Sequence, residues 1–585
     1  MTATTEKKPP AHAAPRPKGI AALKPHTTTL MVVGGVLTLL GSFLPWATFV
    51  LNKGPYPAQA TLQNFTAPLA SSGFRLHLVL FGIAAIVVAL VKRIPARHRI
   101  ARALGYGTIA VSVINGLWIT VEGGGLGAIT ASEGSVAFGA IVALIGGIVL
   151  ALASRVGDLE PVPEIGWKFN RWVEWLILLV VIVLLLLLVA AVLTSGGFGA
   201  TATYAGAVFL SFLAALGGFL GALHAAGLLG WVNALFDRHR GYAVILLLVA
   251  ALCLPLTSAG TEYWMTVATN IGVYAATAIG LNIVVGLAGL LDLGYVAFLG
   301  IGAFVAANLS GAAASAVGIH LPFPLVMVIA AVIAGIFGAI VGSPTLRVRG
   351  DYLAIVTLAF GEIFVRSAQN NIGGLTGGSN AIPGIPPVEA FGIGFDQALR
   401  IGPVSLPRGV LYYFLIVLLV AFVMAVFANL KYSRLGRAWI AIREDEDAAR
   451  AMGIRTGPVK ILAFLIGAML AGLAGAIFAH KTATVSYESF RFLESVTLLA
   501  AVVLGGMGTI PGAVLGASIL FILPEKLREF ADYRLLLFGI ALVLIMRYRP
   551  QGLVPDAHRR AELVEEPEPI DTGGDKPTTR EAVAP

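Results

Sequence analysis

The stretch LILLVVIVLLLLLVAAVL at residues 176–193 contains eighteen consecutive apolar residues. At about 1.5 Å of rise per residue, a helix of this length crosses most of a hydrocarbon core about 30 Å thick. A helix on the surface of a soluble protein would instead alternate apolar and polar faces. The stretch therefore predicts a membrane-spanning helix over 172–194.

Thirteen other apolar stretches are also long enough to cross a bilayer. Residues 496–524 form two shorter apolar pieces, which several glycines and Pro511 separate, and they predict a broken or re-entrant pair. The expected fold class is all-α, a polytopic transmembrane helical bundle with 14–16 membrane segments. The thirteen stretches are 29–50, 74–91, 102–121, 135–154, 204–229, 242–257, 265–288, 291–309, 322–344, 351–366, 410–430, 461–479 and 534–548.

The composition of the whole chain excludes an ordinary soluble protein. Of its 585 residues, 57% are hydrophobic and 12% are charged, against roughly 25% charged residues in an average soluble domain. The net charge of +9 is attributed to basic cytoplasmic loops, so we expect a lipid bilayer and no nucleic acid as the partner. Cys253 is the only cysteine, which excludes intramolecular disulfides and cysteine-based metal sites.

Lysine and arginine concentrate in alternate loops, which predicts that these loops face the cytoplasm. The basic N-terminal tail falls on the same side, and its polar composition indicates no cleavable signal peptide. Residues 367–409 are then external, and the chain is expected to be a multi-pass protein of the plasma (inner) membrane. The basic loops are 92–102, 155–171, 238–240, 347–349 and 431–460.

The most informative polar segment is AWIAIREDEDAARAMGIRTGPVK at residues 438–460. Its acidic run at 444–447 is suited to start a helix, and Gly453 is suited to end it. The segment therefore predicts a short cytoplasmic helix, which either docks on another protein or is a solvated interfacial helix. The residues expected to form an exposed face of small side chains are Ala441, Ala448, Ala449 and Met452.

At this segment the chain resembles a known family. The pattern E-D-A-A-x-x-x-G within Asp445–Gly453, with Ala448 and Ala449, is similar to the EAA coupling loop of ABC importer permeases, which sits in a cleft of the ATPase subunit. Further blocks are similar, in the same order, to the LivM-type permeases of branched-chain amino acid importers, over about 242–555. These blocks are GLNIVVGLAGLLDLGYVAFLGIGAF (280–304), LRVRGDYLAIVTLAFGEIFV (346–365), NNIGGLTGGSNAIPGIP (370–386), GRAWIAIREDEDAARAMGI (436–454), AFLIGAMLAGLAGAIFA (463–479), VVLGGMGTIPGAVLGA (502–517) and RPQGL (549–553).

The resemblance implies a permease subunit that couples ATP hydrolysis by separate ATPase subunits to the uptake of leucine, isoleucine or valine. It implies three further partners: ABC ATPase subunits, a second homologous LivH-like permease and an extracytoplasmic solute-binding protein. The chain itself is then not an enzyme and holds no cofactor, metal or catalytic residue, since ATP is bound by the partner subunits. The implied coupling loop consists of Glu444, Asp445, Glu446, Asp447, Ala448, Ala449 and Gly453, and which acid contacts the ATPase stays open.

Several residues inside the apolar blocks indicate a translocation pathway. Glycines there allow helices to cross closely or to unwind, which exposes backbone dipoles to a polar solute. Asp292 and Glu362 are costly in a membrane unless they face a cavity or a partner, and a salt bridge to Arg347, Arg349 or Arg366 is an equally compatible role. The candidates are Asn282, Gly286, Asp292, Gly294, Glu362 and Thr376.

These patterns divide the chain into five predicted segments, and no function is predicted for the first 241 residues. Within GSFLPWATF (41–49), Trp46 is expected at a membrane interface. The segments are a disordered basic cytoplasmic tail (1–28), a four-span module (29–154), a linker with two extra spans (155–241), a LivM-like permease domain (242–555) and a disordered tail (556–585).

Two alternatives remain open at the level of sequence. A urea or short-chain amide ABC permease would carry the same coupling and scaffold motifs. An ATP-independent secondary carrier or a channel is a different class, which transport driven by ion gradients would reveal. A membrane-embedded enzyme would need a polar catalytic cluster, and the spans do not supply one.

Overall fold

The computed structural model describes residues 25–48, 74–132, 134–156, 161–194, 205–312, 314–346, 351–390, 393–401 and 404–526, with the short pieces 536, 539–540, 543, 547 and 552–554. The described residues include eighteen α-helices. They are α1 (Thr27–Phe43), α2 (Phe74–Leu90), α3 (Arg97–Glu122), α4 (Gly139–Val156), α5 (Arg171–Thr194), α6 (Ala205–Ala225), α7 (Leu228–Arg238), α8 (Arg240–Cys253), α9 (Glu262–Asn282), α10 (Val296–Leu309), α11 (Phe323–Gly342), α12 (Asp351–Gln369), α13 (Val410–Tyr432), α14 (Arg434–Glu444), α15 (Glu446–Ala451), α16 (Thr456–Thr482), α17 (Phe492–Gly505) and α18 (Ile510–Lys526).

The strands that the structure describes are two to five residues long, so the predicted all-α class is confirmed. Antiparallel pairs join β1 to β2, β3 to β8 and β6 to β7. The strands are β1 (Ala131–Ser132), β2 (Ser135–Val136), β3 (Ile382–Pro383), β4 (Glu389–Ala390), β5 (Ile393–Gly394), β6 (Ala398–Ile401), β7 (Val404–Arg408) and β8 (Thr484–Val485).

Among the described residues, eight helices are long and apolar enough to cross a membrane, and the bent pair α7–α8 raises this to nine. The chain is therefore a multi-pass membrane protein. The 14–16 predicted segments exceed this number partly because α1, α2, α10 and α17 are apolar but shorter than 18 residues. For example, the predicted segment 291–309 is helical only from Val296, since the residues before it form an irregular break. The predicted segment 534–548 lies mostly outside the described residues.

The chain divides into two compact units, whose limits differ from the predicted segments. The predicted segmentation itself stays a prediction. The first unit contains 1–269, 391–417 and 521–538, and the second contains 270–390, 418–520 and 539–585.

In the first unit, α1, α2, α3, α4 and α6 pack around one apolar core. Glycines lie where these helices cross. A Cβ atom on Gly146 of α4 would lie 2.7 Å from the backbone nitrogen of Thr38 in α1. One on Gly218 of α6 would lie 2.9 Å from Cα of Gly107 in α3. Helix α6 thus shares the core of α1–α4.

Trp46, which is expected at a membrane interface, lies inside this core. Its side chain is 1% exposed, and its ring centroid lies 4.2 Å from that of Phe74. Its indole Nε1 donates a hydrogen bond of 2.8 Å to the carbonyl of Gly41. Because a backbone carbonyl satisfies its one polar group, the indole can be buried within the protein. Its depth in the membrane stays a prediction.

The first unit also contains a buried lysine at the end of a helix. Lys526 of α18 donates a 2.5 Å hydrogen bond to the carbonyl of Leu193, near the end of α5. Its Nζ lies 4.4 Å from the centroid of the Trp264 ring in α9. A cation at a helix C-terminus and over an aromatic face is favourable on both counts. This contact therefore ties α5, α9 and the end of α18 together.

In the second unit, α16 packs against both α10 and α11. A Cβ on Gly475 of α16 would lie 2.2 Å from the carbonyl oxygen of Leu299 in α10. A Cβ on Gly338 of α11 would lie 2.5 Å from Cβ of Ala468. These close crossings place α16 at the centre of the unit, because small residues let helices approach until backbones touch.

Replacing Gly146 by alanine is expected to destabilise the first unit by about 1–3 kcal/mol, because the added methyl group meets the backbone of α1. Gly217→Ala in α6 is the matched control, since a Cβ there meets no atom within 4 Å. The measurement is the apparent Tm of the full-length protein in detergent. An unchanged Tm for Gly146→Ala would contradict the close crossing of α1 and α4.

Candidate functional site

Two interrupted helices lie in the second unit. Helix α9 ends in a π-helical turn at Ile283–Leu287, and the chain is irregular from there until α10 begins at Val296. The second interruption is at 506–509, between α17 and α18. Turns of this kind release backbone groups from helical hydrogen bonds and are frequent at functional sites. The broken pair predicted over 496–524 is therefore present as two helices.

Asn282 joins the two breaks. Its Nδ2 donates to the carbonyl of Thr509 at 2.9 Å, and its Oδ1 accepts from the backbone N–H of Gly508 at 2.8 Å. The side chain is fully buried. A carboxamide offers a donor and an acceptor together, so one residue satisfies both a free N–H and a free carbonyl of the second break.

Gly286 allows the two breaks to meet. A Cβ atom at this position would lie 1.9 Å from Oδ1 of Asn282 and 2.6 Å from the backbone nitrogen of Gly508. Gly506 and Gly508 have φ of +123° and +78°, values that L side chains rarely adopt. Glycine is thus required on both sides of the contact, for space at 286 and for backbone conformation at 506 and 508.

Two residues from much later in the chain, Leu553 and Val554, complete the hydrogen bonding at the end of α17. The N–H groups of Leu553 and Val554 donate to the carbonyls of Leu504 and Gly505, both at 2.9 Å. Carbonyls in the last turn of a helix have no partner within the helix. The end of the RPQGL block therefore caps α17 beside the second break.

Asp292 and Gly294 lie in the irregular stretch before α10. Asp292 is 1% exposed, and its Oδ1 accepts a hydrogen bond of 2.9 Å from the N–H of Gly294. A Cβ on Gly294 would lie 2.0 Å from the carbonyl oxygen of Thr357, so α12 packs directly on this stretch. Two of the expected salt-bridge partners, Arg347 and Arg349, lie outside the described residues. A role for Asp292 in the pathway stays a prediction.

Glu362 and Thr376 do not share the contacts of Asn282 and Gly286. Glu362 is exposed on α12. Arg366, its other expected partner, donates instead to Gln369 at 2.9 Å. Thr376 donates to the carbonyl of Ala368 at 2.8 Å and thereby holds the loop that follows α12.

The predicted coupling helix is formed by α15, and its ends are well defined. Asp445 is the N-cap, with Oδ1 accepting from the N–H groups of Asp447 and Ala448, both at 2.9 Å. At the other end Gly453 has φ of +87°, and its N–H donates to Arg450. The N–H of Ile454 donates to Ala449 at 3.1 Å, which completes a Schellman motif.

The four acids of this segment have different environments. Glu446 bonds to Lys460 at 2.6 Å and to Arg450 at 3.1 Å, and its side chain is only 21% exposed. Asp447 is 69% exposed. Glu444, with 54% exposure, pairs with Arg443. Asp445 is also exposed, but its Oδ1 caps the helix, so Glu444 and Asp447 are the exposed acids without a capping role.

The expected exposed face of small residues is only partly correct. Ala448 and Met452 are exposed, Met452 by 84%, whereas Ala449 is 4% exposed. Ala449 faces inward because α15 lies against α16. The bond from Lys460 of α16 to Glu446 of α15 also holds the two helices together. The accessible surface of α15 is therefore narrower than its sequence suggested.

Two cationic side chains connect this segment to the breaks. Arg443, at the end of α14, donates from Nη1 to the carbonyl of Gly286 at 2.8 Å. Lys431, at the end of α13, donates to the carbonyl of Gly508, also at 2.8 Å. Gly289 leaves space for the Arg443 side chain, since a Cβ there would lie 2.5 Å from Cγ of Arg443. Arg443 thus bonds the segment 438–460 to the first break, and Lys431, just before α14, bonds the second break, which Asn282 joins to the first.

Sequence reasoning counted Arg443 and Lys431 only as charges that orient the loops. Their role is indicated in the sequence by a cation at a helix end together with glycine-rich breaks. The carbonyls that such breaks release need hydrogen-bond donors. Trp439 was also missed as a structural residue. It is fully buried and donates to the carbonyl of Val459 at 2.7 Å, which fixes α14 on the start of α16.

Comparison with known proteins gives a family match over this part of the chain. The profile described as branched-chain amino acid transport system / permease component matches residues 263–546. The high-affinity branched-chain amino acid transport system permease protein LivM of Escherichia coli K12 is 42% identical over 336 residues, which cover 55% of this chain and 76% of that protein. The resemblance to LivM-type permeases is thereby confirmed. No solved structure gives a significant match.

Two further relatives are more distant. The permease protein BraD of Pseudomonas aeruginosa is 30% identical over 226 residues, covering 34% of this chain and 71% of that protein. The permease protein LivH of E. coli K12 is 33% identical over 127 residues, covering 21% of this chain and 41% of that protein. The matched family profile begins at residue 263, so α1–α8 lie outside it.

Replacing Asn282 by alanine is expected to destabilise the second unit by about 1–3 kcal/mol, because the buried N–H of Gly508 then lacks a partner. The measurement is the apparent Tm of the full-length protein in detergent. The exposed Asn370→Ala, at the end of α12, is the control and should leave the Tm unchanged. Equal Tm values for both variants would show that Asn282 does not hold the break.

Proposed function

We propose that this chain, which belongs to the family of branched-chain amino acid transport permeases, is the membrane subunit of an ABC importer for leucine, isoleucine and valine. The observation that carries the proposal is the direct bonding of Arg443 and Lys431 to the two helix breaks. A permease that separate ATPase subunits drive needs such a connection between its cytoplasmic surface and its membrane helices. The solute is proposed from the transport systems to which the relatives LivM and BraD belong.

In the proposed mechanism, ATPase subunits move the coupling segment and the segment moves the breaks. Two caps close α15, and Trp439 and Lys460 fix α14 and α15 to α16. A displacement of this rigid segment acts on the carbonyl of Gly286 through Arg443. Since Asn282 bonds the two breaks together, both can rearrange in one step. This rearrangement would open the solute pathway to one side of the membrane and then to the other.

The ATPase contact is assigned to the accessible residues of α15. Asp445 and Glu446 are occupied by capping and by internal ion pairs. Asp447, Ala448 and Met452 are exposed on one short helix, so a groove of the ATPase can approach them closely. Glu444 offers a second exposed carboxylate beside them.

A second, LivH-like permease is proposed to complete the pathway along α12. This helix exposes Tyr352, Ile355 and Ile363 by 60–72%. Glu362 is exposed on the same helix, and a carboxylate within a membrane helix must face water or protein. The interface between the two permeases would supply that environment, with the solute pathway beside it.

A solute-binding protein is proposed to dock on the external loop that follows α12. The loop is held at several points: Asn308 donates to the carbonyl of Leu375 at 2.7 Å, and β3 pairs with β8. His480 of α16 contacts the carbonyl of Pro386 at 2.8 Å. A loop fixed in this way can present a defined surface, which supports docking. With this loop proposed outside the cell, we also propose that the N-terminus lies in the cytoplasm and the chain in the inner membrane.

Asp447→Lys is expected to lower solute uptake about tenfold or more, because a reversed charge opposes docking of the ATPase. The control is Glu488→Lys, which also reverses an exposed acid paired three residues away with an arginine. Uptake and ATP hydrolysis are measured with the assembled transporter in liposomes. Full coupling in Asp447→Lys would exclude this face of α15 as the ATPase contact.

The solute is tested directly by measuring the uptake of radiolabelled leucine by the assembled transporter. We expect uptake that requires ATP. Radiolabelled urea is measured in parallel, with and without ATP. ATP-driven uptake of urea in place of leucine would support an amide permease. Uptake by the chain alone, without ATPase subunits, would support a secondary carrier and overturn the proposal.

A further inference from the structure

A cavity of about 490 Å³ lies at the start of α5 in the first unit. It is outside the region that the family profile matches. Three cationic side chains and one carboxylate contribute to its walls. The lining residues are Lys168, Phe169, Arg171, Glu174, Arg238 and His239.

The carboxylate of Glu174 is already neutralised within the protein. Its side chain is 5% exposed, and it accepts hydrogen bonds from Arg238 at 2.5 Å and from the N–H of Phe169 at 3.4 Å. His239 contacts it through Nε2 at 2.7 Å and contacts Nε1 of Trp175 through Nδ1 at 3.3 Å. Because Trp175 can only donate, Nδ1 accepts from it and Nε2 faces the carboxylate of Glu174.

The cavity therefore keeps a positive charge. Lys168 and Arg171 are exposed and have no acidic partner within the part of the chain that the structure describes. Arg238 compensates the charge of Glu174. Two unpaired cations beside a cavity favour an anionic ligand.

The surroundings of the cavity have the composition of a membrane interface. Helix α5 is a candidate span that begins at Arg171, and α7 meets α8 at 102°, so α7 lies across the direction of the neighbouring span. The ring centroids of Trp167, Phe169 and Trp231 lie 5.6–6.4 Å apart. Tryptophan-rich belts occur where a chain passes through the head-group layer.

Helix α5 exposes most of its apolar surface. Only 22% of the apolar window of α5 is buried, the lowest share among the eight candidate spans of the described chain. Leu176, Val180, Leu184 and Leu187 are 49–60% exposed and follow one face of the helix. Trp172, which is 72% exposed, extends this face to the first turn of α5, so the apolar strip and the cationic cavity begin at the same end of the helix.

We propose that this cavity binds the phosphate head group of an anionic phospholipid, whose acyl chains lie along the exposed face of α5. The positive charge of Lys168 and Arg171 matches the phosphate, and the apolar strip matches the chains. A soluble phosphate would use the charge but not the strip. The lipid would fix the polar linker before α5 to the membrane surface.

The test uses the full-length protein, delipidated in detergent and titrated with brominated phosphatidylglycerol or brominated phosphatidylcholine. Bromine quenches nearby tryptophan, and four of the eight tryptophans, at positions 167, 172, 175 and 231, belong to the cavity region. The expected result is quenching by phosphatidylglycerol at a lower concentration than by phosphatidylcholine.

The double variant Lys168→Gln/Arg171→Gln is expected to weaken phosphatidylglycerol binding about 25-fold, since each basic residue near an anionic head group contributes about fivefold. The matched control is Lys92→Gln/Arg93→Gln, which removes two exposed cations from another basic loop. The exchange Lys168→Arg/Arg171→Lys keeps the charge and should keep binding, which separates charge from folding.

Two outcomes would overturn the proposal. One is an equal preference for the two lipids, or equal weakening in both glutamine variants, since the charge at this cavity would then be irrelevant. The other comes from titration with inorganic phosphate at constant ionic strength. Phosphate that displaces phosphatidylglycerol at matching concentrations would show a site for a soluble anion, because the acyl chains would then add nothing.

Discussion

A helix that is interrupted within a membrane must find partners for its released backbone groups inside the protein, because hydrocarbon offers none. In the regular helices of this chain the backbone groups bond to one another. At the two breaks of the second unit they need partners from elsewhere in the protein. Asn282 supplies one donor and one acceptor to the second break. Leu553 and Val554 return to satisfy the last carbonyls of α17. The breaks are thus stable because residues distant in sequence complete their hydrogen bonds.

The same requirement explains where three cationic side chains lie. Arg443 and Lys431 each donate to a carbonyl that a break has released. Hydrogen bonds from charged donors are stronger than neutral ones, so these contacts can carry force as well as satisfy the carbonyls. In the first unit Lys526 makes the same kind of contact at the ordinary end of α5. The difference is that Arg443 lies at the end of α14, directly before α15 in the segment 438–460. Its bond therefore also connects this segment to the membrane helices.

Hydropathy and glycine spacing were sufficient to predict the all-α class, the broken pair over 496–524 and the short helix ended by Gly453, because these features depend on local sequence. The bonds of Arg443 and Lys431 could not be predicted, since their partners are backbone carbonyls 157 and 77 residues away in the chain. The burial of Ala449 was missed for the same reason: helical spacing defines a face but not what packs against it. The burial of Trp46 could not be predicted from residue type either, because its indole bonds to the carbonyl of Gly41 inside the core.

Glycine has two physical roles in this chain, and the difference indicates which parts can rearrange. Gly146 and Gly475 lie within regular helices and allow close crossings, where the backbone is already satisfied by its own helix. Gly506 and Gly508 have positive φ, and the backbone around them depends on side chains from elsewhere. Shifting such a partner alters a break without unfolding a helix, whereas separating a crossing exposes two packed faces. Force applied through the coupling segment is therefore expected to reshape the breaks, while the closely crossed helices move as rigid bodies.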